Sequence, residues 1–206
     1  MARPSATVAI AAVTAAVSLL VTLSGASDSA AIAAGFIPAR LSGLAVPAGV
    51  PALLTPFTAT LLHGGFLHLG LNLLMLVWVG NQVERLLGAG ATIVCYGVGA
   101  LIAALAQWAV DPSSTMPMIG ASGAISALFG TYALMFGEPK RLVASQGVNR
   151  AVHAAWLLAA WVVIQWMTAL LAGDQGMLLA TPAHIGGFVA GLLLQRPLLL
   201  WRYRRA

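Results

Sequence analysis

The sequence predicts an all-α, polytopic membrane protein of six transmembrane helices, with both termini on the cytoplasmic side. Three observations carry this. First, the 206 residues are 60% hydrophobic and only 7% charged, with mean hydropathy +0.94. A soluble domain carries about a quarter charged residues. This chain cannot cover its surface with polar groups, so lipid must be its solvent. Second, six apolar runs are long enough to cross about 30 Å of hydrocarbon, which takes roughly 20 residues each. Third, with the amino terminus inside, Arg3, Arg85, Lys140, Arg141, Arg150, Arg196, Arg202, Arg204 and Arg205 all fall inside, and only Arg40 falls outside. Lys and Arg accumulate on the cytoplasmic side, so the orientation follows. Asp28, Asp111 and Asp174 all fall outside.

The first span, about 6–25, follows Arg3 and ends at "SGASDSA". A secretory leader is the rival reading of this segment. Its apolar run of about 18 residues exceeds the usual 7–15 of a leader, which favours a retained helix. A long first loop with Asp28, Arg40, Pro47 and Pro51 leads to the second span, 56–80. "GNQVERLLGAG" connects to the third, 90–110, and "DPSSTMP" to the fourth, 117–137. "GEPKRLVASQGVNR" precedes the fifth, 152–172, and "GDQGM" the sixth, 182–201. No repeat of 20–50 residues is visible. No stretch is left over for a soluble domain, so residues 1–206 read as one membrane domain.

The net charge of +5 is a matter of topology and gives no reason to expect a nucleic-acid partner. Nine of the ten basic residues are Arg, and Ala and Gly are abundant. That composition fits a GC-rich bacterial genome and hence a bacterial plasma membrane. Cys95 is the lone cysteine, so neither an internal disulfide nor a multi-cysteine metal site is available. It lies in an apolar run and reads as a packing residue.

Polar groups inside a bilayer are expensive, so each needs an account. "LLHGGFLHLGLNLL" places His63, His68 and Asn72 on the second span. "GASGAISALFG" places Ser122 and Ser126 on the fourth, and "AHIGGFVAG" places His184 on the sixth. All three spans run inward from the outer side. Ser122 lies about 5 residues, roughly 8 Å, along its span. His68 and Asn72 lie in the outer half of theirs, and His184 is near the start of its own. Ser, His, His and Asn therefore gather at one shallow depth, which apolar packing alone does not require.

The spacing suggests roles. His68 and Asn72 are i,i+4 and share a face, so both can present N–H donors to one point. Ser122 near a helix start has unpaired backbone N–H groups around it, which favour developing negative charge. His184 can accept a serine proton, because imidazole titrates near neutral pH. A serine, a base and a ring of donors are the parts of acyl-transfer catalysis. Glu84 and Glu138 lie on the inner side, and Asp111 and Asp174 sit in loops. A Ser-His dyad is therefore the economical reading, not a triad. Gly187 and Gly191 form GxxxG on the sixth span, and Ser122, Ser126 and Gly130 make a small-residue stripe on the fourth. Packing those faces would bring Ser122 to His184.

Together these motifs resemble the rhomboid family of intramembrane serine proteases, over about residues 50 to 195. The resemblance rests on "GASG" around Ser122, with Gly120 and Gly123, on "AHIGGFVAG" around His184, and on the His63, His68, Asn72 series. "VERLLG" from Val83 is similar to the family's acidic turn after its second helix. The resemblance implies Ser122 as nucleophile and His184 as general base. It implies an oxyanion hole of His68, Asn72 and the Ser122 backbone N–H, with His63 and Glu84 structural. The implied substrate is a membrane-spanning protein segment cut near the outer face, and no cofactor is implied. Two positions depart from the pattern. Leu54-Thr55 stands where many members carry Trp-Arg, which bears on the first loop's membrane contacts. Ser126 stands where some carry Tyr, which bears on what packs against the catalytic histidine.

Other readings are weaker. A lone serine in a small-residue stripe is ordinarily a packing residue, but His184, His68 and Asn72 at the same depth favour catalysis. Ser126, one turn on, keeps the packing role. Gln165 and Thr168 read as interhelical hydrogen-bonding groups, and His153 as interfacial. Zinc held by His63, His68 and His184 would suffer from the i,i+5 spacing and the missing carboxylate. A transporter would place polar groups near the midplane within an inverted repeat. An inactive rhomboid-like client-binding protein should lack Ser122 or His184, and this chain has both.

Overall fold

The computed structural model describes residues 5–46, 49–136, 143–173 and 180–204, with side chains left undescribed at 165, 166 and 168–173. Arg3, Lys140, Arg141, Arg205, Pro47, Glu138 and Asp174, and the side chains of Gln165 and Thr168, lie outside the described residues. The helices are α1 (Ala6–Leu23), α2 (Ser27–Ala34), α3 (Pro38–Leu41), α4 (Thr55–Thr58), α5 (Phe66–Leu87), α6 (Ala89–Val110), α7 (Ser122–Phe136), α8 (Gln146–Gly173) and α9 (Thr181–Arg202). Three-residue 3-10 turns at Ala52–Leu54 and Ala59–Leu61 flank α4. The chain is all-helical among the described residues, apart from one antiparallel bridge between Phe36 and Met118.

Five of these helices, α1, α5, α6, α8 and α9, are long and apolar enough to cross a membrane. The apolar α7 is shorter, 15 residues or about 22 Å. It lies inside the bundle, packed against α6, α9 and α5. Leu20, Leu74, Trp156 and Leu193 are exposed on the outside, as lipid solvation allows. The core gathers Leu76, Val79 and Val83 of α5, Ala91 and Cys95 of α6, and Ala124, Ala127 and Leu128 of α7.

The structure moves two expected boundaries. The helix expected over 56–80 begins only at Phe66, because Gly65 adopts φ +132° and breaks it. The residues before it form α4 and a 3-10 turn instead. The helix expected over 117–137 begins at Ser122, because Gly120 sits at φ +119° and Met118 pairs with Phe36. Ser122 is therefore the first helical residue, not one five residues along. Apolar composition cannot separate a helix from irregular backbone covered by protein. Such backbone is tolerated at membrane depth only when protein or a wet cavity covers it. The first loop also contains α2 and α3, which its turn-former content did not suggest.

α1 is built into the bundle. At one end Glu84 of α5 accepts the Ala6 and Thr7 amides and the Ser5 and Thr7 hydroxyls, at 2.6–2.8 Å. A carboxylate there satisfies the orphan donors of the first turn and opposes the helix dipole. Tyr203 of the chain end donates to Leu86 O at that same side of the bundle. At the other end Ser18 bonds to Leu61 and His63.

Candidate active site

The site lies where α5, α7 and α9 begin. Two successive amides before Ser122 are held by protein. Gly120 N–H donates to Ala59 O at 2.9 Å, and Ala121 N–H points at His63 Nε2 at 3.4 Å. Upstream, Phe36 and Met118 exchange both backbone bonds, and Ala39 N–H donates to Ser114 O. The first loop thus straps down the turn that carries Ser122. The first intrahelical bond of α7 runs from Ile125 N–H to Ala121 O. The amides of Ser122, Gly123 and Ala124 therefore have no helical partner, as expected at a helix start.

His184 comes from the first turn of α9, which Pro182 opens. Its Nε2 stands 2.7 Å from Ser122 Oγ. Backbone contact between α7 and α9 sets that distance. Gly187 lies against the Gly123 carbonyl, Gly191 against the Ala127 carbonyl, and Gly130 against the Phe188 carbonyl. Thr131 donates to Gly191 O at 3.0 Å and contacts Cys95 Sγ at 3.3 Å, tying α6, α7 and α9 together. Cys95 is fully buried. Ser126 Oγ donates to Ser122 O at 2.8 Å and packs toward Gly187.

A cavity of about 470 Å³ opens over the pair. Ser122, His184, His68, Gly120 and Gly123 line it, together with Thr60 and Gln107. His68 Nδ1 accepts the Gly64 N–H at 3.3 Å, so the ring proton belongs on Nε2. That Nε2 lies over Gly120, 2.9 Å from where a Cβ would stand. Any side chain at Gly120 would displace it.

The structure brings Ser122, His184 and His68 to one cavity but leaves Asn72 off its wall. Asn72 is buried, its Nδ2 donating to His68 O at 2.9 Å and its Oδ1 without a hydrogen-bond partner. His63 also lies behind the cavity wall, and both of its ring nitrogens are engaged. Among the described carboxylates, Glu84 caps α1, and Asp111 accepts from Ser113 in its own turn. Asp28 sits in the first turn of α2. None of these three has a hydrogen bond to His184 among the described contacts. Gln107 was not anticipated: its Oε1 is buried without a protein partner in a residue that lines the cavity. A lone glutamine at the end of an apolar run, one residue before Trp108, was its only signal.

A family model described as a rhomboid domain matches residues 51–201. The chain belongs to the rhomboid family. This rhomboid is 32% identical over 140 residues to the rhomboid protease GlpG of Pectobacterium atrosepticum, covering 67% of the chain and 46% of that protein. It is 33% identical over 141 residues to the protein of that name from Enterobacter sp., again covering 67% and 46%. It is 32% identical over 139 residues to that of Photorhabdus laumondii, covering 66% and 44%. The rhomboid chain thus spans less than half the length of these curated relatives. With its apolar helices, family membership makes it an integral, multi-pass membrane protein.

Proposed function

We propose that this chain is an intramembrane serine endopeptidase of a bacterial plasma membrane, with six spans and both termini inside, that cuts membrane-spanning segments near the outer face. The observation that carries the reading is the 2.7 Å contact between Ser122 Oγ and His184 Nε2 beneath an open cavity. The relatives named rhomboid protease support the reaction class.

The chemistry follows from these groups. With its proton on Nδ1, His184 takes the Ser122 proton on Nε2 as Oγ attacks the substrate carbonyl carbon. The carbonyl oxygen becomes an oxyanion. The free amides of α7's first turn and the Nε2–H of His68 are the donors nearest to it, and they are already in place before the charge develops. Asn72 supports His68 from one turn below and can supply a second amide hydrogen if its carboxamide turns toward the cavity. The imidazolium of His184 then protonates the leaving amine, and the acyl group stays on Oγ. Water reaching the cavity gives a proton to His184 as its oxygen attacks the acyl carbon; the acyl–Oγ bond then breaks, His184 returns that proton to Ser122 Oγ, and the carboxylic acid leaves. A buried acceptor without a protein partner, in a cavity that Ser122, Thr60 and two histidines also line, is a place for water, so Gln107 is the candidate to hold it.

Purified protein in proteoliposomes with a single-span reporter substrate tests this. Ser122→Ala and His184→Ala should each abolish cleavage while leaving expression and detergent stability intact, and a fluorophosphonate should label Ser122. Cleavage by Ser122→Ala would sink the proposal.

A further inference from the structure

We propose that Ser18 of α1 is a positioning residue for this reaction, because its hydroxyl dictates which nitrogen of His63 carries the proton. The inference rests on the serine-protease reading above. It concerns a helix outside residues 51–201, the stretch matched by the family model.

Ser18 is 1% exposed, and its Oγ is 2.7 Å from Leu61 O and 2.9 Å from His63 Nδ1. A carbonyl oxygen only accepts, and a hydroxyl has one proton to give. Once that proton is on Leu61 O, Ser18 can only accept from Nδ1. The neutral His63 ring then carries its proton on Nδ1 and a bare lone pair on Nε2. That lone pair is what the Ala121 N–H, 3.4 Å away, points at. The other tautomer would set N–H against N–H at Ala121 and leave Nδ1 facing a hydroxyl already committed elsewhere. A doubly protonated ring would also face Ala121 with a donor.

Ala121 is fully buried and immediately precedes Ser122. Holding its amide on His63, and that of Gly120 on Ala59, turns both peptides away from the cavity. The next amides, of Ser122 and Gly123, are left for substrate. At 3.4 Å the His63 bond is long and contributes orientation more than stability. The chain of contacts Ser18, His63, Ala121 thus connects the end of α1 away from Glu84 to the nucleophile's turn.

A double-mutant cycle on the full-length protein tests this. Ser18→Ala is nearly isosteric but leaves Leu61 O and His63 Nδ1 without this partner, so it should fold with a modestly lower thermal midpoint. It should lower kcat about tenfold, the scale of one hydrogen bond, with KM within about twofold, since orientation at the reacting centre is lost while substrate binding is not. In the His63→Ala background the same change should have no further effect, because the group it acts through is gone. Nitrogen-15 NMR of labelled histidine should find His63 protonated on Nδ1 in the unaltered protein and a new Nε2-protonated population in Ser18→Ala. Unchanged kcat, additive losses, or an unaltered tautomer in Ser18→Ala would each overturn the inference. These outcomes are separable from failure of the protease reading, which would show as cleavage that does not require Ser122.

Discussion

Gly187 of α9 rests against the carbonyl of Gly123 on α7, one turn from His184 and one residue from Ser122. A Cβ at Gly187 would collide with that carbonyl and stand 3.2 Å from Ser126 Cβ. The Ser122–His184 distance therefore depends on a missing methyl group. Gly187→Ala should force the helices apart at a cost of about 1–3 kcal/mol. We expect a lower melting temperature in detergent and at least about tenfold slower fluorophosphonate labelling, since the pair would leave hydrogen-bond range. Gly70→Ala is the control: a Cβ there meets nothing within 4 Å, so stability should hold or rise slightly.

His68 and Asn72 should separate in kinetics. His68 lines the cavity, whereas Asn72 donates to the His68 carbonyl and does not. His68→Ala should lower kcat by about 10²–10³, the range for one oxyanion donor. Asn72→Ala should cost less. Steady-state cleavage of one reporter by both variants decides it, and a larger loss from Asn72→Ala would reverse the assignment.

Gln107→Leu preserves shape and removes the buried acceptor. If Gln107 holds the water that releases the acyl group, this variant should lose about tenfold in kcat, on the scale of one hydrogen bond. Fluorophosphonate labelling needs the nucleophile but no water, so its rate should stay near that of the unaltered protein. Parallel loss of both rates would instead mean that Gln107 shapes the site as a whole.

Glu84 accepts four hydrogen bonds from the start of α1. Glu84→Ala should cost about 1.5–3 kcal/mol, the worth of hydrogen bonding to a charged group, read as a lower thermal midpoint. The same contacts predict that α1 stays on the mature protein, since removing it would strand Glu84 and His63. Intact mass of protein extracted from membranes checks this, and a mass lacking α1 would restore the leader reading.

Much of the candidate site's arrangement was legible because each residue is costly where it stands. A serine and histidines in runs meant for lipid demand an explanation, and the spans' shared direction put Ser122, His184 and His68 at one depth. Glycines spaced by four on two helices pointed to close contact between them. Gln107 was missed because one amide near a helix end looks like an interfacial residue. Its importance appears only when a cavity from other segments opens against it. The starts of α5 and α7 were misplaced because Gly65 and Gly120 are apolar by composition, and only their positive φ shows that the chain turns there.

The sequence by itself determined the lipid solvent and the helical class, and set the expectation that Ser122, His184 and His68 share one depth, because hydropathy, periodicity and basic-residue bias are local properties that add along a chain. Only the tertiary structure decided which donors face the cavity. It turned the Gly120 and Ala121 amides onto Ala59 and His63, put the His68 proton on Nε2 through Gly64, and kept Asn72 off the cavity wall. Those choices depend on hydrogen bonds between segments distant in sequence, and a hydrogen bond has a direction that no count of residues contains.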